Sequence, residues 1–199
     1  MIVTAIKQQQ KRADRFSIFV DNKFAFSLSE SGLLESKLTL GKELDNQELS
    51  ELKQAAVADK IYGKVLYYLS FRPRSQWEIS TYLAKNNTPT PLAEKILNKL
   101  SKKSLIDDES FAKSWIENRS LLKPISTRRL IYELRSKHID SELISKILSE
   151  EEHDDSSALA LAIEKKRRQV RYHDDFKLMQ YLARQGYKYE DIKKALAKN

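Results

Sequence analysis

The chain has 199 residues, with 36 Lys and Arg against 28 Asp and Glu, a net charge of +8, and no cysteine. The missing cysteines exclude disulfide scaffolds, cysteine zinc sites and thiol catalysis; residues 1–10 are too polar for a signal peptide, and no apolar run nears the ~20 residues of a membrane span. With 41% apolar residues and only 4 Gly and 4 Pro, the expectation is a soluble, cytoplasmic, mainly α protein.

Residues 2–28 read as three strands. Ile2, Thr4, Ile6 and Gln8 alternate with their neighbours, as do Phe16, Ile18 and Val20, then Phe24, Phe26 and Leu28 on the return. Asp21-Asn22 between the last two runs suits the positive φ angles of a tight hairpin. So small a meander needs a helix to pack on. A turn-rich linker with Gly32 and Gly41 follows, and the pattern becomes helical from about Leu44.

An internal repeat then sets the architecture. Leu83, Leu134 and Leu182 are spaced 51 and 48 residues apart, each preceded one helical turn earlier by Ile79, Leu130 or Leu178. Ile96, Ile147 and Ala195 follow thirteen residues later, and Leu97, Leu148 and Leu196 fourteen later. Four residues past each anchor stand Asn87, His138 and Gly186, where a helix commonly ends in a left-handed residue. Leading helices are expected at residues 61–71, 111–122 and 158–171. Ser75 with Glu78 forms a capping box, Thr90-Pro91 opens a helix, and Asp108, Ser126, Asp140 and Asp175 are further cap candidates. The domains expected are 1–55, an N-terminal hairpin extension with its linker helix, and three three-helix repeats at 56–106, 107–155 and 156–199. The fold class is therefore mainly α: tandem helix-turn-helix-like repeats in a curved array behind a small β-meander.

The charge follows this division. Residues 1–62 are balanced, 63–106 carry +6, 107–155 carry −4 and 156–199 carry +6. Basic blocks of this kind attract polyanions, nucleic acid above all. Near the helix junctions stand Arg72, Arg74, Arg128, Arg129 and Arg135. Lys165, Lys166, Arg167, Arg168 and Arg171 crowd the third leading helix, with Arg184 and Lys188 beyond. The arginine fork suits phosphate and carboxylate alike, so the partner is DNA or an acidic protein surface. Tyr67, Tyr68, Trp77, Tyr82, Trp115, Tyr132, Tyr172 and Tyr181 fall at helical spacing and are expected in the core rather than on bases. His153-Asp154-Asp155 and His173-Asp174-Asp175 repeat one tripeptide. Helix capping explains both better than a metal-dependent nuclease. Neither a catalytic site, a metal nor a cofactor is expected.

Three motifs resemble a known family. Arg72-Pro73-Arg74-Ser75-x-x-Glu78-Ile79-x-x-x-Leu83, Ile106-Asp107-Asp108-x-x-Phe111-Ala112 and Leu182-Ala183-Arg184-x-Gly186-Tyr187-x-Tyr189-x-x-Ile192 stand in order and in register with the repeats. They resemble the signatures of RecX, regulators of the RecA recombinase, over residues 63–198. The resemblance implies a monomer that lies in the groove of the RecA–single-stranded-DNA filament and inhibits its growth, ATP hydrolysis and strand exchange, modulating DNA repair and the SOS response. The implied partners are RecA and non-specific single- and double-stranded DNA, with no membrane. The expected contacts are Arg72, Arg74, Arg128, Arg129, Arg135, Arg167, Arg168, Arg171, Arg184 and Lys188. The alternative is a direct helix-turn-helix DNA-binding protein. Members commonly carry Gly near Ile125 and at His138, so the turns of the second repeat are expected to be remodelled. Longer members continue past Asn199, which reads here as the end of a fragment at a repeat boundary.

Overall fold

The antiparallel sheet runs β1 (Val3–Gln9), β2 (Arg12–Val20) and β3 (Lys23–Ser29) in sequence order. The computed structural model describes residues 1–150 and 154–197. Asp21 and Asn22 adopt φ of 47° and 62°, and the turn is pinned from β1 and the residue before it: the Ile2 amide donates to Asp21 Oδ1 at 2.8 Å and the Asn22 amide to Thr4 Oγ1 at 2.9 Å. Val3, Ile18, Val20, Phe26 and Leu28 form the buried face. Two expectations fail here for one reason, broken register. A shift between Val3 and Ala5 puts Val3 in the core and leaves Ile2 exposed. A shift between Ile18 and Phe19 pairs Phe19 with Phe24, so Phe24 turns outward and meets Phe19 edge-to-face, with ring centroids 6.0 Å apart.

Ser29 caps α1 (Glu30–Ser36), and an Asp45–Glu48 capping box opens α2 (Asn46–Ser70). The leading helix expected at 61–71 is the second half of this longer helix; Leu49, Leu52 and Ala56 of its first half pack on the sheet. Asp59 anchors the packing. It accepts from the Ser29 amide at 2.8 Å and from the Ser29 hydroxyl, and pairs at 3.1 Å with Arg15. Arg15 is buried and also donates to the Ser27 carbonyl.

The repeats follow as α3 (Gln76–Lys85) and α4 (Thr90–Lys102), then α5 (Asp108–Leu122), α6 (Thr127–Arg135) and α7 (Ser141–Glu150), then α8 (Asp155–Arg167), α9 (Asp175–Arg184) and α10 (Tyr189–Ala197). All six anchors are wholly buried. Asn87, His138 and Gly186 have φ of 54°, 56° and 92°, and in each repeat the next amide donates back to the anchor carbonyl: Thr88 to Leu83, Ile139 to Leu134, Tyr187 to Leu182. This bond satisfies an otherwise orphaned helix-end carbonyl. His138 thus reproduces the turn that glycine makes, and that turn of the second repeat is not remodelled.

By contact the chain divides into two units, Met1–Pro73 with Tyr82–Lys99, and Arg74–Thr81 with the chain from Leu100 onward. The second unit holds two cores, one around Phe111, Ile116, Leu130, Leu134 and Ile147, the other around Leu159, Ile163, Leu178, Leu182 and Ile192. Several local expectations need correction. Asp107 and Asp174, not Asp108 and Asp175, cap α5 and α9. Pro89, not Thr90, supplies the first helical carbonyl of α4, accepting from Ala93 at 2.9 Å. The third leading helix stops at Arg167, and Arg171 lies on a separate 3-10 turn, Val170–Tyr172. Tyr67, Trp77 and Tyr132 are exposed, not core. His153 and Asn199, named in the tripeptide and chain-end readings, lie outside the described residues. Among the described residues no helix is long and apolar enough to cross a membrane.

Candidate polyanion-binding surface at the repeat junctions

Two serines sit at the centre of the repeat boundaries. Ser126, wholly buried, accepts from the Arg129 amide at 3.2 Å as the cap of α6 and donates through its hydroxyl to the Gln185 carbonyl at 3.1 Å, in the next repeat. The Thr127 amide and hydroxyl donate to Asp155 Oδ1, at 2.6 and 2.8 Å. The boundary before it repeats the pattern. Ser75 accepts from the Glu78 amide at 3.3 Å and donates to the Lys137 carbonyl at 3.0 Å, while the Gln76 amide donates to Asp108 at 2.8 Å. Trp77 stacks on His138 (4.2 Å between centroids, 17° between planes) and Lys137 pairs with Glu78 at 2.9 Å.

The paired aspartates therefore divide their work. Asp107 and Asp154 each cap their own helix; Asp108 and Asp155, one position on, reach back to the middle helix of the preceding repeat. Their titration differs accordingly. Hydrogen bonds from Ser110 hold Asp107 below the ordinary aspartate range, and bonds from Ser157 and Ser156 do the same for Asp154. Burial raises Asp108, against the opposing bond from Gln76. A lowered carboxylate contributes stability that is present above its unfolded-state pKa and lost as pH falls through the folded one; a raised carboxylate does the reverse. Asp107→Asn is thus expected to be less stable than the parent at neutral pH, with the deficit vanishing in acid. Asp108→Asn, which keeps an acceptor for Gln76, is expected to match or exceed the parent at neutral pH and lose that advantage on acidification. Urea midpoints across the two pH ranges check both.

The same bonds decide which cations meet. Arg128 and Arg129 follow Ser126 on the chain, and Arg184 and Lys188 lie on either side of the Gln185 that Ser126 holds; Gly186 lies so close that an added Cβ would be 3.1 Å from Arg129 Cβ. Likewise Arg74 adjoins Ser75, and Arg135 adjoins the Lys137 that Ser75 holds. Each boundary so joins chain segments whose cations are about 60 residues apart in sequence. Arg128, Arg135, Arg184 and Lys188 are exposed and form no ion pair among the described residues. Arg129 is partly neutralised by Glu133 at 3.3 Å and lies 5.2 Å from the Tyr132 ring centroid.

The remaining expected contacts are placed differently. Arg72 lies in the first unit and donates to the Pro73 carbonyl. Arg167 is engaged in the fold, donating to the Tyr172 and His173 carbonyls at 3.0 and 2.8 Å and to the Asp175 carboxylate, which closes the turn into α9. Arg168 pairs with Glu164 at 2.7 Å on an exposed helix face, and Arg171 lies over Tyr172. Lys137 and Lys166 were absent from the expected set. Lys166 sits 4.6 Å above the Tyr181 ring and 5.4 Å above Tyr172; the helical spacing of those tyrosines was the available signal.

Comparison with known proteins agrees with this architecture. The RecX N-terminal domain matches residues 1–45, the first RecX three-helix domain residues 62–100, and the second residues 107–148. A regulatory protein RecX of Bacillus subtilis (strain 168) is 31% identical over 159 residues, covering 80% of this chain and 60% of that one. One from Listeria monocytogenes serotype 4a (strain HCC23) is 35% identical over 159 residues, covering 80% and 58%. The chain thus spans about three fifths of the length of these relatives. A crystal structure of regulatory protein RecX superposes with a TM-score of 0.72 at 28% identity, covering 96% of this chain and 97% of that one. With three RecX domains matched in chain order and a RecX structure matched along nearly its whole length, the chain belongs to the RecX family of regulatory proteins.

Proposed function

We propose that this chain regulates the RecA recombinase, mainly as an inhibitor, by binding in the groove of the RecA–single-stranded-DNA filament and blocking its growth, ATP hydrolysis and strand exchange, and so modulates DNA repair and the SOS response in the cytoplasm. It acts by occupancy, without an active site of its own. The observation that carries this reading is that successive repeat boundaries join cation-bearing segments, that of Arg74 to that of Arg135 and then that of Arg128 to that of Arg184 and Lys188. A filament presents acidic protein surface and phosphate at a regular interval. Modest patches repeated along a binder gain avidity on such a lattice when the spacings match.

The alternative, sequence-specific reading of duplex DNA by a helix-turn-helix, gains less support. The backbone amides opening two of the middle helices are already taken by Asp108 and Asp155, and α7 exposes Glu142 and Glu150. The test follows ATP hydrolysis by recombinase filaments as the chain is added at micromolar concentration. Hydrolysis is expected to fall, and Arg128→Gln with Arg184→Gln to weaken the effect by about tenfold or more. On an oligothymidine the same pair should flatten the dependence of log affinity on log salt by about 1.4, at ~0.7 per lost phosphate contact on a single strand. Unchanged hydrolysis alongside tight binding to one duplex sequence would favour the alternative.

A further inference from the structure

The two boundary hydrogen-bond sets are too alike to be incidental packing. Each has a buried serine that accepts from its own helix and donates to the carbonyl preceding a left-handed residue of the next repeat. Each also has an aspartate from the next leading helix on the first amide of the middle helix. The sheet is tied to α2 with the same residue types, Ser29 capping α1 while Asp59 accepts from Ser29. The cations lie immediately beside these ties. Resting on the function proposed above, we infer that Asp155 and Asp108 are positioning residues: they touch no ligand, and they hold consecutive repeats in the register that makes two half-patches of cations into one polyanion contact.

The geometry gives each member a part. The serine hydroxyl is both acceptor and donor, which alanine cannot replace. The aspartate supplies the acceptor for an amide that the helix cannot satisfy internally. At the second boundary the Asp155 carboxylate takes two bonds from Thr127, backbone and hydroxyl, and so fixes both the translation and the orientation of α8 against α6. Removing it leaves the cores around Leu134 and Leu182 intact, since Asp155 belongs to neither. Asparagine keeps an acceptor oxygen and should keep the register.

The absence of native cysteine allows a clean distance measurement. Spin labels on Ser145→Cys in α7 and Glu190→Cys in α10, both exposed, report the second boundary by the distribution of their separation. In Asp155→Ala the distribution is expected to broaden with helix content retained, and in Asp155→Asn to stay narrow. On an oligothymidine, Asp155→Ala should lower the salt slope by about 1.4, as Arg184 and Lys188 cease to act together with Arg128, while Asp155→Asn retains the parent slope. An unchanged distribution in Asp155→Ala overturns the inference. A broadened distribution with an unchanged slope overturns the positioning role and leaves a purely structural tie. A parent chain without salt-dependent binding overturns the cationic surface itself, and with it the reading on which this rests. If both DNA arms behave as expected and filament hydrolysis is unaffected, the positioning role stands and the recombinase reading alone fails.

Discussion

Asp59→Ala is expected to destabilise the first unit by about 3–5 kcal/mol, the usual penalty for stripping one partner from a buried ion pair. Arg15 and Asp59 are 3.1 Å apart with side chains 6% and 12% exposed, so the substitution leaves a guanidinium in the interior with only the Ser27 carbonyl and hydroxyl for company. It also removes the acceptor of the Ser29 amide. The measure is the urea midpoint and slope followed by circular dichroism. Arg15→Met combined with Asp59→Leu should recover part of the loss, because an apolar pair has no desolvation penalty to offset, while the Ser29 amide stays without its acceptor. A single-variant loss below about 1 kcal/mol would mean the pair is solvated, at the level of surface ion pairs.

Gly186→Ala is expected to destabilise the second unit by about 2–3 kcal/mol, from a left-handed L-residue at ~1 kcal/mol and a disturbed helix cap at ~1 kcal/mol or more. Gly186 has φ of 92°, and its added Cβ would collide with Ser126 Oγ, the atom that caps α6 and holds Gln185. The damage falls between Arg129 and the segment carrying Arg184 and Lys188, so the salt slope for oligothymidine should fall along with stability. His138→Gly makes the informative contrast. It relieves the φ of 56° and removes the stacking on Trp77, two opposed effects each of ~1 kcal/mol, so the net change in midpoint should be small.

The repeat was legible in sequence because its signals are local. Ile79 to Leu83 is one helical turn, and Asn87, His138 and Gly186 each sit at a fixed offset from an anchor whose burial demands them. The Asp21-Asn22 turn was legible for the same reason. Beyond one-residue shifts at helix ends, an early helix stop and aromatic residues left exposed, the misreadings involve a partner far along the chain or a slip in register. Phe24 obeys the alternation of β3 on paper, and the shift at Ile18–Phe19 that turns it outward has no signature in residue type. Asp108 read as the cap of its own helix; it instead accepts from the first amide of the helix at Gln76, 32 residues earlier. Asp155 serves Thr127 at a separation of 28. The cationic site was readable as a collection of arginines but not as a grouping. The bond that joins the segment of Arg128 to that of Arg184 runs from Ser126 to Gln185, and Arg167 shows charge alone cannot distinguish a free cation from one closing a turn.

These backward-reaching caps impose a timetable on synthesis. The amides of Gln76 and Thr127 find their acceptors 32 and 28 residues downstream. At ribosomal rates of ~5–20 residues per second the wait is about 1–6 s for each. Through that interval a middle helix has left the ribosome with its first turn incomplete, and its serine has no carbonyl to hold until a further half-repeat has emerged. Each repeat is thus finished by its successor: the first turn of a middle helix stays incomplete until the start of the next repeat has emerged.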